Sequence, residues 1–145
     1  MKKTVLPVRI LLIEEDGFHL LVRATLNAKK AWMLIDTGAS KTVFDTERIK
    51  RFVDEKEFEP NDKLSTGLGT NSMQTHSGVI KKIQLGKLTL KNLKTIFLDL
   101  SHVNESYEKL GLPMIDGVLG SDLMIQNNAV IDYAAKELRL KWKDE

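Results

Sequence analysis

The sequence predicts a mainly β domain with two or three short helices. Apolar residues recur at strand spacing in short runs along the whole chain. Turn signals such as Glu15-Asp16-Gly17 and Gly86-Lys87 bound those runs, and helical windows are few and brief. A chain of 145 residues forms one domain, 1–145, able to bury roughly 70% of its unfolded surface. No repeat, low-complexity tract or inter-domain linker interrupts it.

The elements follow in order. Val5–Ile13 and Phe18–Leu26 form a first hairpin about Glu15-Asp16-Gly17. Asn27-Ala28-Lys29-Lys30 turns into Ala31–Ile35, an apolar strand without alternation and therefore covered on both faces. Asp45–Phe52 reads as a short helix capped by Asp45, with Val43, Phe44, Ile49 and Phe52 inward. Val53–Lys63 is charged, contains Pro60, and reads as a surface connection. Leu64–Leu68, a tip at Gly69–Met73 and Gln74–Leu85 make a long hairpin, followed by Leu88–Leu90 and Thr95–Leu100. Ser101–Leu110 is a helix capped by Ser101, with Val103, Tyr107 and Leu110 on one side. Ser121–Ile125 is a second. Ala129–Tyr133 and Leu138–Trp142 close the chain around Ala134-Ala135-Lys136.

Composition narrows the function. A net charge of +2 is nearly balanced, and Lys81, Lys82, Lys87, Lys91 and Lys94 lie in strand patterns without interleaved aromatics. That describes a solvated sheet face, so no nucleic-acid partner is expected. His19, His76 and His102 lack metal-ligand spacing, so no metal and no other cofactor are expected. Ser40 has no histidine partner in view, and Gly67-Leu68-Gly69 lacks the lysine of a phosphate loop. Apolar runs fall short of the ~18 residues of a membrane span. Without cysteine the chain suits a reducing compartment, and a cytoplasmic location is expected.

The chemistry concentrates in Leu34-Ile35-Asp36-Thr37-Gly38-Ala39-Ser40. A buried strand runs into one carboxylate with hydroxyls and a glycine beside it. Gly38 lacks a Cβ, so backbone N–H groups can approach the carboxylate. Ser40 can hydrogen-bond an outer carboxylate oxygen. Elsewhere the carboxylates have plainer readings: Asp116-Gly117 is a turn signal, Asp122 caps the helix after it, and Asp132 is a structural partner in the last hairpin. Trp32 and Trp142 are packing residues.

This stretch resembles the catalytic loop of the retropepsin-like aspartic proteases. Val118-Leu119-Gly120 resembles their second signature, two apolar residues and a glycine threaded beside that loop. Between the two, Ser65–Asn71 stands where the family carries its flap hairpin. The resemblance runs from about Phe18 to Leu140, and it is nearest to small bacterial members. It implies a retropepsin-like acid-protease barrel in which Asp36 is catalytic and Thr37, Gly38, Ala39 and Ser40 support the loop. It implies that Thr37 reaches the loop of a second copy and that Gly120 makes room beneath the active loop. By the same resemblance Gly67, Leu68, Gly69, Thr70 and Asn71 form a flap over substrate. The family pattern is departed from at Val53–Lys63 and Asp99–Ile115, which are additional, and at the tip Gly69-Thr70-Asn71-Ser72, which lacks a glycine pair.

Amide hydrolysis of this kind needs two carboxyls in contact. Like charges about 3 Å apart cannot both ionise, so the pair shares one proton and supplies both base and acid. One chain carries one Asp-Thr-Gly. A two-fold homodimer would place Asp36 beside its twin, with an extended peptide in the cleft between subunits. The expected function is an aspartic endopeptidase; the alternative is an inactive peptide-binding or dimerisation module on the same fold. The final segment either joins a dimer sheet or folds back on its own subunit.

Overall fold

The computed structural model describes residues 1–61 and 75–143. The mainly β class is borne out: strands dominate, with two α helices and two 3-10 turns among the described residues. The strands are β1 (Lys2–Pro7), β2 (Arg9–Glu14), β3 (Gly17–Leu26), β4 (Lys29–Ile35), β5 (Val43–Asp45) and β6 (Glu59–Asn61). They continue as β7 (Thr75–Leu85), β8 (Leu88–Leu98), β9 (Gly117–Leu119), β10 (Val130–Asp132) and β11 (Glu137–Trp142). The helices are α1 (Ser101–Lys109) and α2 (Ser121–Gln126).

Eight strands pair in the order β2-β3-β4-β9-β5-β8-β7-β6, and a further pairing of β3 with β7 brings the sheet back on itself. A smaller sheet has the order β1-β11-β10. The alternation of β3 sends Leu20, Val22, Ala24 and Leu26 into the main core while Leu21 joins a second apolar cluster. β4 does the same with Ala31, Met33 and Ile35 on one side and Leu34 on the other. Both faces of β4 are therefore covered, one by the main core and one by the cluster that Tyr107 and Val103 of α1 help to build. No helix among the described residues is long and apolar enough to cross a membrane.

Several expectations are corrected. Val5–Ile13 is two strands, because Pro7 has no N–H and the chain changes sheets there. β1 pairs with β11, the Val8 N–H donates to the Lys136 carbonyl at 2.9 Å, and β2 then pairs with β3. The segment 45–52 is mostly not helix. Val43–Asp45 is held as a strand between β8 and β9, leaving one 3-10 turn at Arg48–Arg51 whose Arg48 N–H donates to Asp45. The stretch from Val53 is not merely surface: Val53 is buried and β6 pairs with β7. β8 is one unbroken strand. Ser101 is not the cap of helix α1: Leu100 stands at the N-cap without a side-chain cap bond, Asp99 accepts from the Ser101 N–H, and Leu110 is exposed. The Leu64–Leu68 strand and its tip lie outside the described residues.

Gly117 is not in a turn. It is a strand residue wedged between β4 and β5, where a Cβ would stand 2.6 Å from the Phe44 ring and 2.7 Å from the Val43 carbonyl oxygen. The C-terminal segment folds back on its own subunit, since β11 pairs with β1 and β10.

Candidate active site

β4 and β9 run parallel, with Ile35 beside Leu119. The next residue, Asp36, leaves the sheet, yet its N–H still donates to the Leu119 carbonyl at 3.1 Å. The pairing fixes the start of the loop on two buried strand ends and carries the carboxylate out to their exposed rim. Asp36, Thr37, Gly38 and Ser40 are exposed and Ala39 is half-buried. The Gly38 N–H donates to Asp36 Oδ1 at 3.0 Å, and the Ala39 N–H donates to the Asp36 carbonyl at 3.1 Å. A Cβ on Gly38 would lie 3.3 Å from that Oδ1. Ser40 makes no hydrogen bond to Asp36 among the described residues.

The far side of the loop is tied down by groups the sequence reading did not connect. The Thr42 N–H and hydroxyl both donate to Asp122 Oδ1, at 2.9 and 2.8 Å, and the same hydroxyl accepts from the Gly120 N–H at 3.0 Å. Asp122 thus ties the chain just after the 36–40 loop to the first turn of α2 and is not its cap, since Gly120 stands at the N-cap without a side-chain cap bond. The Ser121 N–H donates to the Ala39 carbonyl at 2.8 Å. Gly120 allows this approach, because a Cβ there would meet the Lys41 carbonyl carbon at 2.5 Å. Val118 joins the second cluster and Leu119 the main core, so the apolar pair anchors β9 to both layers.

Asp116 stands at the opposite end of the β4–β9 pair. It is 2% exposed, accepts from the Trp32 N–H at 2.9 Å and from Arg48 Nε at 2.8 Å, and has Arg51 at 3.7 Å. Asp132 accepts from the Ala135 N–H and from Arg139, which hold its carboxyl below its ordinary value. The structure therefore brings together the 36–40 loop and 118–120, ties Asp122 to Thr42 just beyond that loop, and sets Asp116 at the far end of the strand pair. Gly67, Leu68, Gly69, Thr70 and Asn71 lie outside the described residues.

Beside Asp36 a pocket of about 240 Å³ opens, with Phe18, His19, Ile131 and Tyr133 in its walls. His19 was not read as a site residue. Its Nδ1 lies 2.6 Å from the hydroxyl of Tyr107, which is 88 residues away in sequence.

Residues 22–123 match the family model described as "Aspartyl protease". The chain belongs to that family. Among solved structures, a retropepsin-like aspartic protease from Rickettsia conorii superposes with a TM-score of 0.60 at 21% identity, covering 98% of this chain and 96% of that one. The retroviral protease-like domain of Ddi1 from Leishmania major gives 0.59 at 14%, covering 88% and 95%. EIAV protease, complexed with the inhibitor HBY-793, gives 0.53 at 18%, covering 79% and 92%. At these identities the likeness establishes a retropepsin-like fold. Curated protein sequences yield no significant match.

An aspartyl protease of this fold needs a carboxylate that water and substrate can reach, and among the described residues Asp36 is both motif-borne and exposed at the end of the paired strands. Thr42 and Asp122 escaped sequence reading because their contact spans 80 residues. The only local cue was a polar residue just after each motif.

Proposed function

We propose that the protein is an aspartic endopeptidase acting as a homodimer, with Asp36 of each subunit sharing one proton. The ionised carboxylate takes a proton from water while its protonated mate polarises the scissile carbonyl. The roles exchange as the amine leaves. Asp36 is the catalytic residue in this reading. Thr37, Gly38, Ala39 and Ser40 support the loop, Val118, Leu119 and Gly120 brace it from beneath, and the segment 67–71 covers the substrate. The observation that carries the reading is the placement of Asp36: exposed, oriented by the Gly38 N–H, and borne on the one Asp-Thr-Gly of its chain.

The surroundings support a second copy at this face. Thr37 borders an apolar groove of about 450 Å³ between α2 and β10, with Met124 and Ile131 in its walls. Ile125 in the groove wall and Tyr133, two residues beyond Ala129–Ile131, are 78% and 65% exposed. Apolar side chains gathered at one face mark an interaction surface. A substrate peptide would lie extended across the two loops and pair by strand addition.

Cleavage of a fluorogenic peptide pool, followed against pH and protein concentration, tests the reading. Cleavage at acidic to near-neutral pH that rises faster than linearly with protein concentration is expected. Activity strictly proportional to concentration at all dilutions, or a rate that persists well above neutrality, contradicts it.

A further inference from the structure

The inserted segment Asp99–Ile115 has a physical tie to the cleft. Helix α1 is locked by Asn104, whose amide donates to the Ile115 carbonyl at 3.1 Å and accepts from the Ile115 N–H at 2.7 Å. One turn along the helix stands Tyr107, 1% exposed and packed in the second apolar cluster with Leu21 and Leu34. Its hydroxyl meets His19 Nδ1. His19 lies two residues before Leu21 and Asp36 two after Leu34, and Leu21 and Leu34 are ladder partners on β3 and β4. The helix therefore reaches, through one hydrogen bond, a side chain in the wall of the pocket that Asp36 also lines.

That hydrogen bond decides which ring nitrogen carries the proton. Among the described residues His19 is the one partner of the Tyr107 hydroxyl. A buried O–H left without an acceptor costs free energy, so the phenol donates and Nδ1 accepts. Burial also pushes the Tyr107 phenol up to about 12, which keeps its proton in place at working pH. The neutral imidazole then has its hydrogen on Nε2, the nitrogen that Tyr107 does not engage. The other walls mix apolar Phe18, Leu34 and Ile131 with polar Asp36, Thr37 and Tyr133.

We infer that Tyr107 is a positioning residue that fixes His19 as a hydrogen-bond donor in the cleft pocket, and that this pocket selects a substrate side chain tipped with an acceptor, such as the amide of glutamine. The inference rests on the peptide-cleft reading of the site. It assigns α1 the task of setting specificity from behind the sheet. A pocket built to donate disfavours a side chain that leaves the donor unpaired.

Two measurements test it on the full chain. Two-bond proton–nitrogen NMR of histidine-labelled protein, which needs no activity, reads the His19 tautomer. The wild type is expected to carry hydrogen on Nε2, and Y107F to show a mixture of tautomers. Binding to the D36N protein is then compared for two peptide sets that are identical except for Gln or Leu scanned through each position. At one position Gln should be favoured about three- to tenfold, as one neutral hydrogen bond allows. Y107F should cut that preference while leaving the affinity for the Leu peptide unchanged. H19Q, which keeps a donor near the Nε2 site, should retain the preference and become insensitive to Y107F. Hydrogen on Nδ1 in the wild type overturns the inference. So does the absence of any Gln preference, or a preference that Y107F leaves intact. A correct tautomer with no peptide bound by any variant would sink the peptide-cleft reading and the selectivity with it, leaving only the Tyr107–His19 geometry.

Discussion

Asp36 and Asp116 sit at opposite ends of one pair of parallel strands, and their surroundings differ in every respect that matters for chemistry. Asp116 is buried, accepts a backbone N–H and is neutralised by Arg48. Asp36 is exposed and accepts only the Gly38 N–H among the described residues. A carboxylate whose lone pairs are filled from its own chain supports the fold. One that is aimed but left unpaired remains available to a proton, a water or a second carboxylate. The strand pair carries both, and in the proposed function the end where the loop after β4 begins is the one that reacts.

The sharpest way to break this contrast is to neutralise each end in turn. D36N should lower cleavage by about three orders of magnitude or more, since a group of the reacting pair is lost. Its stability should change by less than about 0.5 kcal/mol, as for other exposed sites. D116N should do the reverse. It leaves Arg48 without its partner and should cost about 3 kcal/mol, the low end for a broken buried pair because Arg48 is 22% exposed. Cleavage per folded molecule should hardly change. Urea unfolding midpoints and initial rates on the same preparations decide both.

The glycines sharpen the comparison within the active end. G120A drives a Cβ into the Lys41 backbone at 2.5 Å. It should destabilise by about 1–3 kcal/mol, the range for overpacking, and depress cleavage by shifting the loop. G38A meets only the flexible Asp36 carboxylate at 3.3 Å. Its stability loss should stay below about 1 kcal/mol, with the effect falling on rate. Equal stability losses in the two would show that the Gly120 contact does not brace the loop.

The smallest expected effect concerns the helix behind the sheet. In the unfolded chain the Tyr107 phenol ionises near 10, whereas in the fold it holds its proton to about 12. Between those values the unfolded chain binds fewer protons, so stability should fall as pH rises through the window. Y107F should flatten that alkaline decline, as read by thermal unfolding across pH.

Much of this was legible because it is local. The apolar run into Asp36-Thr37-Gly38 and the apolar pair before Gly120 are contiguous, and contiguous patterns survive folding. Other features were not local. Nothing in Val5–Ile13 distinguishes its two halves except Pro7, and the partner of each half lies more than a hundred residues away or in the next hairpin. Asp116-Gly117 carries a turn signature, yet close packing against Phe44 demands the same glycine. Thr42 with Asp122 and His19 with Tyr107 meet only through the third dimension. Single polar residues have no period to reveal them. The second helix of the insertion's surroundings, α2, was readable as an element, but its grip on the active loop was not.

In the proposed reaction two Asp36 carboxylates act together, and subunit mixing tests this. Wild type and D36N should be mixed at constant total concentration, allowed to exchange subunits, and assayed for peptide cleavage. Activity should fall as the square of the wild-type fraction, because only wild-type pairs hold two aspartates. A decline linear in that fraction would mean that each chain works alone and would contradict the shared dyad.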